Sequence, residues 1–204
     1  MKSIHTILRA CGAATAFLLL VGCVSTTFEH PPVAERTCDA ALVGDWRYVR
    51  PVDEKGEVKL VIGKTCRLLM LNHLGGATDR DEPTQLHLGM DEQQGYLWVD
   101  AGWATRSASS HEPTIPGDVY VLRYNLHGDK LELQTLNDKA IAHRIIDDDL
   151  PGETHKSNKG LFNRITGTVT LQQLHLRDFF NVEHVLFKRS DSNAGFKLKP
   201  AKRP

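Results

Sequence analysis

Alternating apolar and polar positions run through the middle of the chain and predict β-strands. The clearest case is the pair of segments 118–126 and 130–136, which alternate on either side of His127-Gly128-Asp129. A glycine between polar residues is typical of a tight turn, so the sequence predicts an antiparallel hairpin here.

Further runs of apolar, aromatic and β-branched residues predict strands on both sides of this hairpin. They cover residues 43–50, 58–62, 67–71, 85–90, 96–103 and 182–188. The segments 58–62 and 67–71 form either a hairpin or one long bent strand. Turn signals separate most of the runs, which favours an antiparallel meander.

The period of the pattern changes after the hairpin. Asn137 is a good helix N-cap, and residues 138–146 place apolar side chains on one helical face. A second helix that buries Leu171 is predicted over 170–180, with a strand as the alternative. The polar, turn-rich segment 147–168 is expected to be a long loop. The predicted fold is therefore mainly β, an antiparallel meander forming a barrel or strongly curved sheet with one or two late helices.

The N-terminus has a basic start, with Lys2 and Arg9, followed by an apolar run that ends at Leu20-Val21-Gly22-Cys23. This layout is typical of a secretory signal, and the run is shorter than the ~20 apolar residues of a membrane-spanning helix. Its ending resembles the lipobox of bacterial lipoprotein signal peptides. The resemblance implies that residues 1–22 are removed and that Cys23 carries the lipid. The alternative is an ordinary secretory signal with a chance cysteine.

The residue after Cys23 bears on location. Bacterial lipoproteins retained at the inner membrane resemble one another in carrying an aspartate at this position, whereas this chain has Val24. The resemblance therefore implies an anchor in the outer membrane, with the domain facing the periplasm.

The rest of the chain divides into three parts by composition. Residues 23–37 are polar and contain Pro31-Pro32, so we expect the lipidated cysteine to be followed by a flexible tether. Residues 38–189 form the β domain. Residues 190–204 are expected to be a disordered basic tail, with a grip on anionic lipid or peptidoglycan as the alternative. The cations of this tail are Lys197, Lys199, Lys202 and Arg203.

Size and charge restrict the function classes. The 182 residues left after signal removal suffice for one domain with its own hydrophobic core. The formal net charge of the full chain is zero, and losing Lys2 and Arg9 leaves about −2. The chain therefore lacks the basic footprint that is typical of nucleic-acid-binding proteins.

The chain has four cysteines. Cys11 leaves with the signal and Cys23 takes the lipid, which leaves Cys38 and Cys66. In an oxidising compartment such an even pair is expected to form a disulfide, with two unpaired buried thiols as the alternative.

The first predicted strand of the domain contains Gly44-Asp45-Trp46. This resembles the Gly-x-Trp signature of lipocalins and the wider calycin group, in which the tryptophan plugs the closed end of a barrel and the glycine allows a bend. The resemblance implies these structural roles for Gly44 and Trp46. The order of the predicted elements over residues 40–189 is also similar to lipocalin-like domains on bacterial envelope lipoproteins, although two helical segments precede the last strand. The alternative is a chance tryptophan in another antiparallel fold.

No sequence pattern predicts catalysis or metal binding. Eight histidines are scattered over residues 38–189 without metal-ligand spacing, and the acid-rich runs 79–82 and 147–149 do not follow a calcium loop. Ser109-Ser110-His111 lacks the nucleophile elbow of a hydrolase. We therefore predict no catalytic residue, no metal and no cofactor.

Four aromatic residues on neighbouring predicted strands are the candidates for ligand binding. They are Trp98, Trp103, Tyr120 and Tyr124, which either line an apolar pocket or simply belong to the core. The favoured hypothesis is a non-enzymatic, membrane-anchored lipoprotein that binds a lipid or another apolar small molecule. An adaptor in an envelope protein assembly, without a pocket and with an unspecified protein partner, is the alternative, and a hydrolase ranks third.

Overall fold

A computed structural model describes residues 26–49, 58–72, 82–92, 94–107, 114–157 and 160–190. The predicted signal at residues 1–22 and Cys23, the predicted lipidation site, lie outside the described residues. The predicted basic tail also lies outside them, apart from Ser190.

The structure contains thirteen described strands and three described α-helices. The first strands are β1 (Thr26–Phe28), β2 (Glu35–Arg36), β3 (Gly44–Tyr48), β4 (Val58–Ile62), β5 (Arg67–Asn72), β6 (Thr84–Gln85), β7 (His87–Asp91) and β8 (Gln94–Asp100). The others are β9 (Val119–His127), β10 (Lys130–Gln134), β11 (Gly152–Ser157), β12 (Gly160–Ile165) and β13 (Val185–Arg189). The helices are α1 (Ala101–Ser107), α2 (Asp138–Ile146) and α3 (Leu171–Leu174), and a 3-10 helix at Ala40–Leu42 precedes β3.

The strands form a strongly curved antiparallel meander. β3 pairs with β4, β4 with β5, and β5 with β6. Leu86 alone separates β6 from β7, and its backbone N–H donates to the carbonyl of Cys66 at 2.8 Å. The pairing continues from β7 through β8, β9 and β10 to β13, and β13 pairs with β3. The prediction of a mainly β fold with a curved antiparallel sheet is therefore confirmed.

Two predicted hairpins are present with the expected turns. β9 and β10 are antiparallel, with Lys130 opposite His127, and Gly128 has a φ of +61° in the turn. Glycine suits this position because it adopts positive φ without a steric penalty. β4 and β5 also form a hairpin rather than one long bent strand.

The late helices follow the prediction in part. α2 begins after Asn137, whose side chain accepts the N–H of Ala140 at 3.2 Å, and it covers the predicted range. α3 is much shorter than the predicted helix over 170–180. A capping box between Thr170 and Gln173 stabilises its first turn, but Leu171 is 46% exposed rather than buried. With Leu174 as its one buried residue, the helix has no apolar face that would extend it.

The prediction of a strand over 96–103 is wrong at its end. The strand stops at Asp100, and Trp103 lies in α1. The Asp100 carboxylate accepts the backbone N–H of Trp103 at 2.6 Å, as a helix cap does.

The expected long loop over 147–168 is also wrong. Most of it forms the antiparallel hairpin of β11 and β12. The sequence lacks the alternation of a strand here because buried positions of the hairpin carry polar residues. Their polar atoms are satisfied by hydrogen bonds to one another and to β1. Asn163 is 3% exposed, accepts from the Thr154 hydroxyl at 3.1 Å and donates to the Thr26 hydroxyl at 2.9 Å.

The segment expected to form a flexible tether belongs instead to the folded domain from Thr26 onwards. β1 lies between β12, with which it is parallel, and β9, with which it is antiparallel. Phe28 is fully buried and Val33 is 8% exposed. The Pro31-Pro32 pair therefore lies in the connection between β1 and β2, where β2 pairs with β7.

The sheet is apolar on both faces. Successive strand residues point to opposite sides, so Leu97 of β8 faces the interior of the curl while Tyr96 faces outward. The outer side is covered by aromatic rings, with Tyr96 and Phe180 at 6.1 Å between centroids. Phe28 and Phe179 lie at 6.4 Å in the same layer. Within the described ranges, no helix has the length and apolar character needed to cross a membrane.

Candidate functional site

The interior of the curl contains a cavity of about 60 Å³. Its lining side chains come from β4, β5, β8, β9 and β10, together with Leu86 and two residues of α1, and none of them is charged. The pleat explains this lining, because the inward positions of each strand carry large aliphatic residues such as Leu60, Met70 and Leu133. The site can hold an apolar group and offers little to a polar one.

Two of the four predicted aromatic residues line this cavity. Tyr120 reaches it from β9 and Trp103 reaches it from α1. The Trp103 indole N–H donates to the carbonyl of Glu82 at 2.6 Å, so its polar atom is satisfied outside the apolar lining. Burial raises the pKa of the Tyr120 phenol above its ordinary value, which keeps the group neutral. The role of both residues in ligand binding stays a prediction.

The structure places Trp98 and Tyr124 elsewhere. Trp98 points to the outer face of β8, where its ring stacks on His87 with centroids 5.9 Å apart. Tyr124 lies opposite Gly95, and its ring fills the space where a side chain would be. A Cβ at Gly95 would come within 2.5 Å of the Tyr124 ring. Trp98 is away from the cavity because it alternates along β8 with the inward Leu97 and Val99. Tyr124 is away from it because its ring lies against Gly95.

Trp46 lies opposite Leu60 of β4, which lines the cavity, so its side chain points to the inner side of the sheet. Its role as the plug of a barrel end stays a prediction. The indole is fully buried, and its N–H donates to the carbonyl of Leu42 at 2.8 Å. The Arg189 guanidinium lies over the ring, 4.3 Å from its centroid. Gly44 leaves room for that guanidinium, since a Cβ there would lie 2.8 Å from Arg189 Nη1.

Arg189 is a structural residue that the sequence analysis missed. Its Nη1 donates to the carbonyl of Val43 at 2.8 Å and its Nη2 donates to the carbonyl of Ala41. The guanidinium thus binds the segment of the 3-10 helix that precedes β3. Arg189 is 146 positions from Val43 and 148 positions from Ala41 in the sequence. In the sequence, Arg189 stands next to the basic tail and nothing marks it as different.

The disulfide between Cys38 and Cys66 is present, with a Cα–Cα distance of 5.5 Å. It joins the segment before the 3-10 helix to the residue before β5. Cys66 has a φ of +54°, an uncommon conformation for a residue other than glycine. The bond therefore holds the 3-10 helix, whose Leu42 carbonyl accepts from Trp46, next to the turn between β4 and β5.

A buried carboxylate connects β1 and β12 to the residue that precedes β9. Asp118 is 3% exposed and accepts from Arg164 Nε at 2.9 Å and from Nη2 at 3.0 Å. The Thr27 hydroxyl donates to the same carboxylate at 3.1 Å. Such a bidentate pair fixes the position of β1 and β12 relative to the start of β9.

The described part of the chain contains no group of three or more histidine, cysteine, aspartate or glutamate residues arranged to hold a metal ion. Comparisons of the chain with protein-family models, with curated proteins and with solved structures found no match.

Proposed function

We propose that the protein is a non-enzymatic lipoprotein, anchored to the outer membrane through acylated Cys23, whose periplasmic β domain binds an apolar small molecule. The observation that carries the ligand proposal is the uncharged cavity, lined by apolar side chains from five strands and α1. The anchor proposal rests on the resemblance of Leu20-Val21-Gly22-Cys23 to a lipobox. The lipocalin resemblance of Gly44-Asp45-Trp46 supports the same kind of function.

The mechanism of binding is burial. Each Å² of apolar ligand surface removed from water contributes ~25 cal/mol, and the lining offers no charged group that would have to be desolvated. A cavity of about 60 Å³ accepts a slim group, such as a short segment of an acyl chain. A larger ligand requires a side chain to move. Trp103 is the candidate, because it belongs to the seven-residue α1 rather than to the sheet.

The volume of the cavity favours a second function. About 60 Å³ is well below the ~300–1,000 Å³ of ordinary small-molecule pockets, so most of the interior is filled by side chains. A filled interior suits an adaptor in an envelope assembly, which acts through its surface.

A quenching experiment distinguishes the two functions. The chain has three tryptophans, all of them described, and Trp103 alone lines the cavity. Brominated fatty acids of increasing chain length should therefore quench tryptophan fluorescence in the wild-type protein and lose this effect in Trp103→Phe. Trp98→Phe, changed on the outer face, is the matched control and should keep the quenching.

Absence of quenching at every chain length would favour the adaptor. Mass spectrometry of solvent extracts of the purified protein provides an independent check, because a bound lipid should appear in them. The anchor is tested separately by membrane fractionation, in which Cys23→Ser should leave an uncleaved or soluble form. Unchanged fractionation of that variant would refute the acylation.

A further inference from the structure

The first described strand begins very close to the proposed anchor. Thr26 is the first residue of β1, and Val24 and Ser25 alone separate it from Cys23. Consecutive Cα atoms are ~3.8 Å apart, so these three peptide units span at most about 11 Å in any conformation. A cysteine acylated in the membrane therefore keeps Thr26 within about 11 Å of the level of Cys23.

Thr26 is held firmly in the domain. It is fully buried, it pairs with Asn163 of β12, and its hydroxyl accepts from the Asn163 side chain at 2.9 Å. The next residue, Thr27, donates to the buried Asp118. Since β1 cannot leave the sheet without breaking these bonds, the short connection keeps the start of β1 and its neighbours close to the bilayer.

Two exposed lysines lie close to Thr26. The Asn163 side chain that binds Thr26 also donates to the carbonyl of Asp138 at 2.8 Å, which places the exposed Lys139 at the start of α2 beside β1. Thr154 of β11 donates to the same Asn163, and the exposed Lys156 lies two positions further along that strand. Residues two apart on a strand share a face and lie ~7 Å apart.

The two lysines lie on the same side of the hairpin. A Cβ on Gly152 would come within 3.2 Å of Ile145 Cδ1, so α2 covers the face of β11 that carries Gly152, Thr154 and Lys156. The start of α2 is near Asn163 and its end is near Gly152, so Lys139 and Lys156 lie at the same end of this face. We call the group Thr26, Lys139 and Lys156 the anchor end.

We propose that the anchor end is a membrane-contacting surface, where Lys139 and Lys156 meet the anionic headgroups of the bilayer. The inference rests on the proposed acylation of Cys23. The occupant follows from the length of chain between Cys23 and Thr26 and from the charge of the two lysines, because cations near an anionic leaflet are attracted to it. Glu153, the exposed acid on β11, already contacts His155 at 3.1 Å and points to the other face of the strand.

Lysine footprinting on the unaltered chain tests this surface. The acylated protein is reconstituted in vesicles of phosphatidylethanolamine and phosphatidylglycerol and treated with a water-soluble amine-acylating reagent, and modification is followed by peptide mass spectrometry. The reference is Cys23→Ser protein mixed with the same vesicles. Lys139 and Lys156 should react about fivefold more slowly in the acylated protein, the factor that corresponds to ~1 kcal/mol for a lysine near an anionic surface.

Equal rates of Lys139 and Lys156 in the vesicle-bound acylated protein and in the Cys23→Ser reference would overturn the inference while leaving the acylation intact. Failure of the protein to float with the vesicles would refute the acylation, and this inference with it.

A variant with a longer connection tests the cause of the protection. A flexible glycine-serine insertion of about 20 residues between Ser25 and Thr26 adds ~25 Å of average reach. The variant should still float with the vesicles, while Lys139 and Lys156 regain the rates of the Cys23→Ser protein. Protection that survives the insertion would overturn the short connection as its cause.

Discussion

The Arg189 guanidinium covers the face of the Trp46 indole at 4.3 Å from the ring centroid and links the end of the last strand to the start of the first strand of the meander. Arg189 also pairs with Trp46 across β13 and β3. The two residues are thus joined through the backbone ladder and through their side chains. Their contact therefore stabilises the pairing of β13 with β3.

Trp46→Ala should destabilise the domain by about 3–5 kcal/mol, because the indole is fully buried and its removal leaves a cavity in the core. Urea unfolding of the two proteins measures the difference. Val182→Ala is the control, since Val182 is 83% exposed and its truncation should cost less than about 0.5 kcal/mol. A cost below ~1 kcal/mol for Trp46→Ala would contradict the role of Trp46 as a core residue.

Arg189→Ala should cost about 2–3 kcal/mol, since it removes the cation over Trp46 and two charged hydrogen bonds to carbonyl groups. Arg189→Lys should recover part of this loss, because lysine keeps the charge but cannot form both bonds with a planar fork. Thermal or urea unfolding gives the order of the three proteins. The exposed Arg177→Ala serves as the matched control and should have little effect. A lysine variant as stable as the wild type would show that charge alone is sufficient.

The disulfide is tested by counting thiols. Denatured but unreduced mature protein should show no free thiol at Cys38 and Cys66, and two after reduction. Replacing both cysteines by alanine should lower the free energy of unfolding by about 3 kcal/mol, because the bond closes a loop with a sequence separation of 28. Two free thiols before reduction would exclude the bond in the native protein.

Tyr96→Phe should stabilise the domain at neutral pH by about 1 kcal/mol. The Tyr96 hydroxyl is buried and has no hydrogen-bond partner among the described residues. Removing it therefore removes a desolvation cost that no hydrogen bond offsets. Chemical unfolding at pH 7 measures this gain. A loss of stability in the phenylalanine variant would mean that the hydroxyl is bonded in solution.

The same residue predicts a dependence on alkaline pH. Burial raises the pKa of Tyr96 to about 12, whereas an unfolded tyrosine titrates near ~10. The unfolded chain therefore loses its proton first. The free energy of unfolding of the wild type is therefore unaffected by this ionisation below pH ~10 and falls by about 2–3 kcal/mol as the pH rises through 12, in addition to the cost of the unbonded hydroxyl at neutral pH. Comparing wild type with Tyr96→Phe between pH 9 and 12 isolates this contribution, because the other titrating groups are common to both. Parallel curves would contradict the shifted pKa.

Local signals account for the parts of the fold that the sequence predicted. The hairpin of β9 and β10 needs only alternation and the turn at Gly128, and α2 needs only the cap at Asn137 and an apolar face. Both features lie within a few residues of the structure that they determine. The cap of Trp103 by Asp100 is equally local and was available as a signal for α1.

The features that sequence analysis missed depend on distant partners. The sequence predicts a tether at β1 because Thr26 and Thr27 are polar and the partner of Thr26, Asn163, lies 137 positions away. Arg189 acquires its role only when β13 reaches the 3-10 helix before β3. The sequence predicts four aromatic residues at a ligand pocket, but Trp98 points to the outer face, where it stacks on His87. The Tyr124 ring lies against Gly95 instead of lining the cavity. Such outcomes follow from tertiary pairing, which a linear pattern does not contain.

The position of β1 between β9 and β12 also sets an order of events for folding. A chain that emerges from its N-terminus presents Thr26–Phe28 first, yet the parallel partner of this strand is Asn163–Ile165. β1 must wait for Val119 of β9 and then for β12, and closing such long loops is slow compared with forming the local hairpins. Throughout that interval the apolar Phe28 side chain is exposed to water. The earliest segment to appear is therefore among the last to fold, and its docking completes the domain.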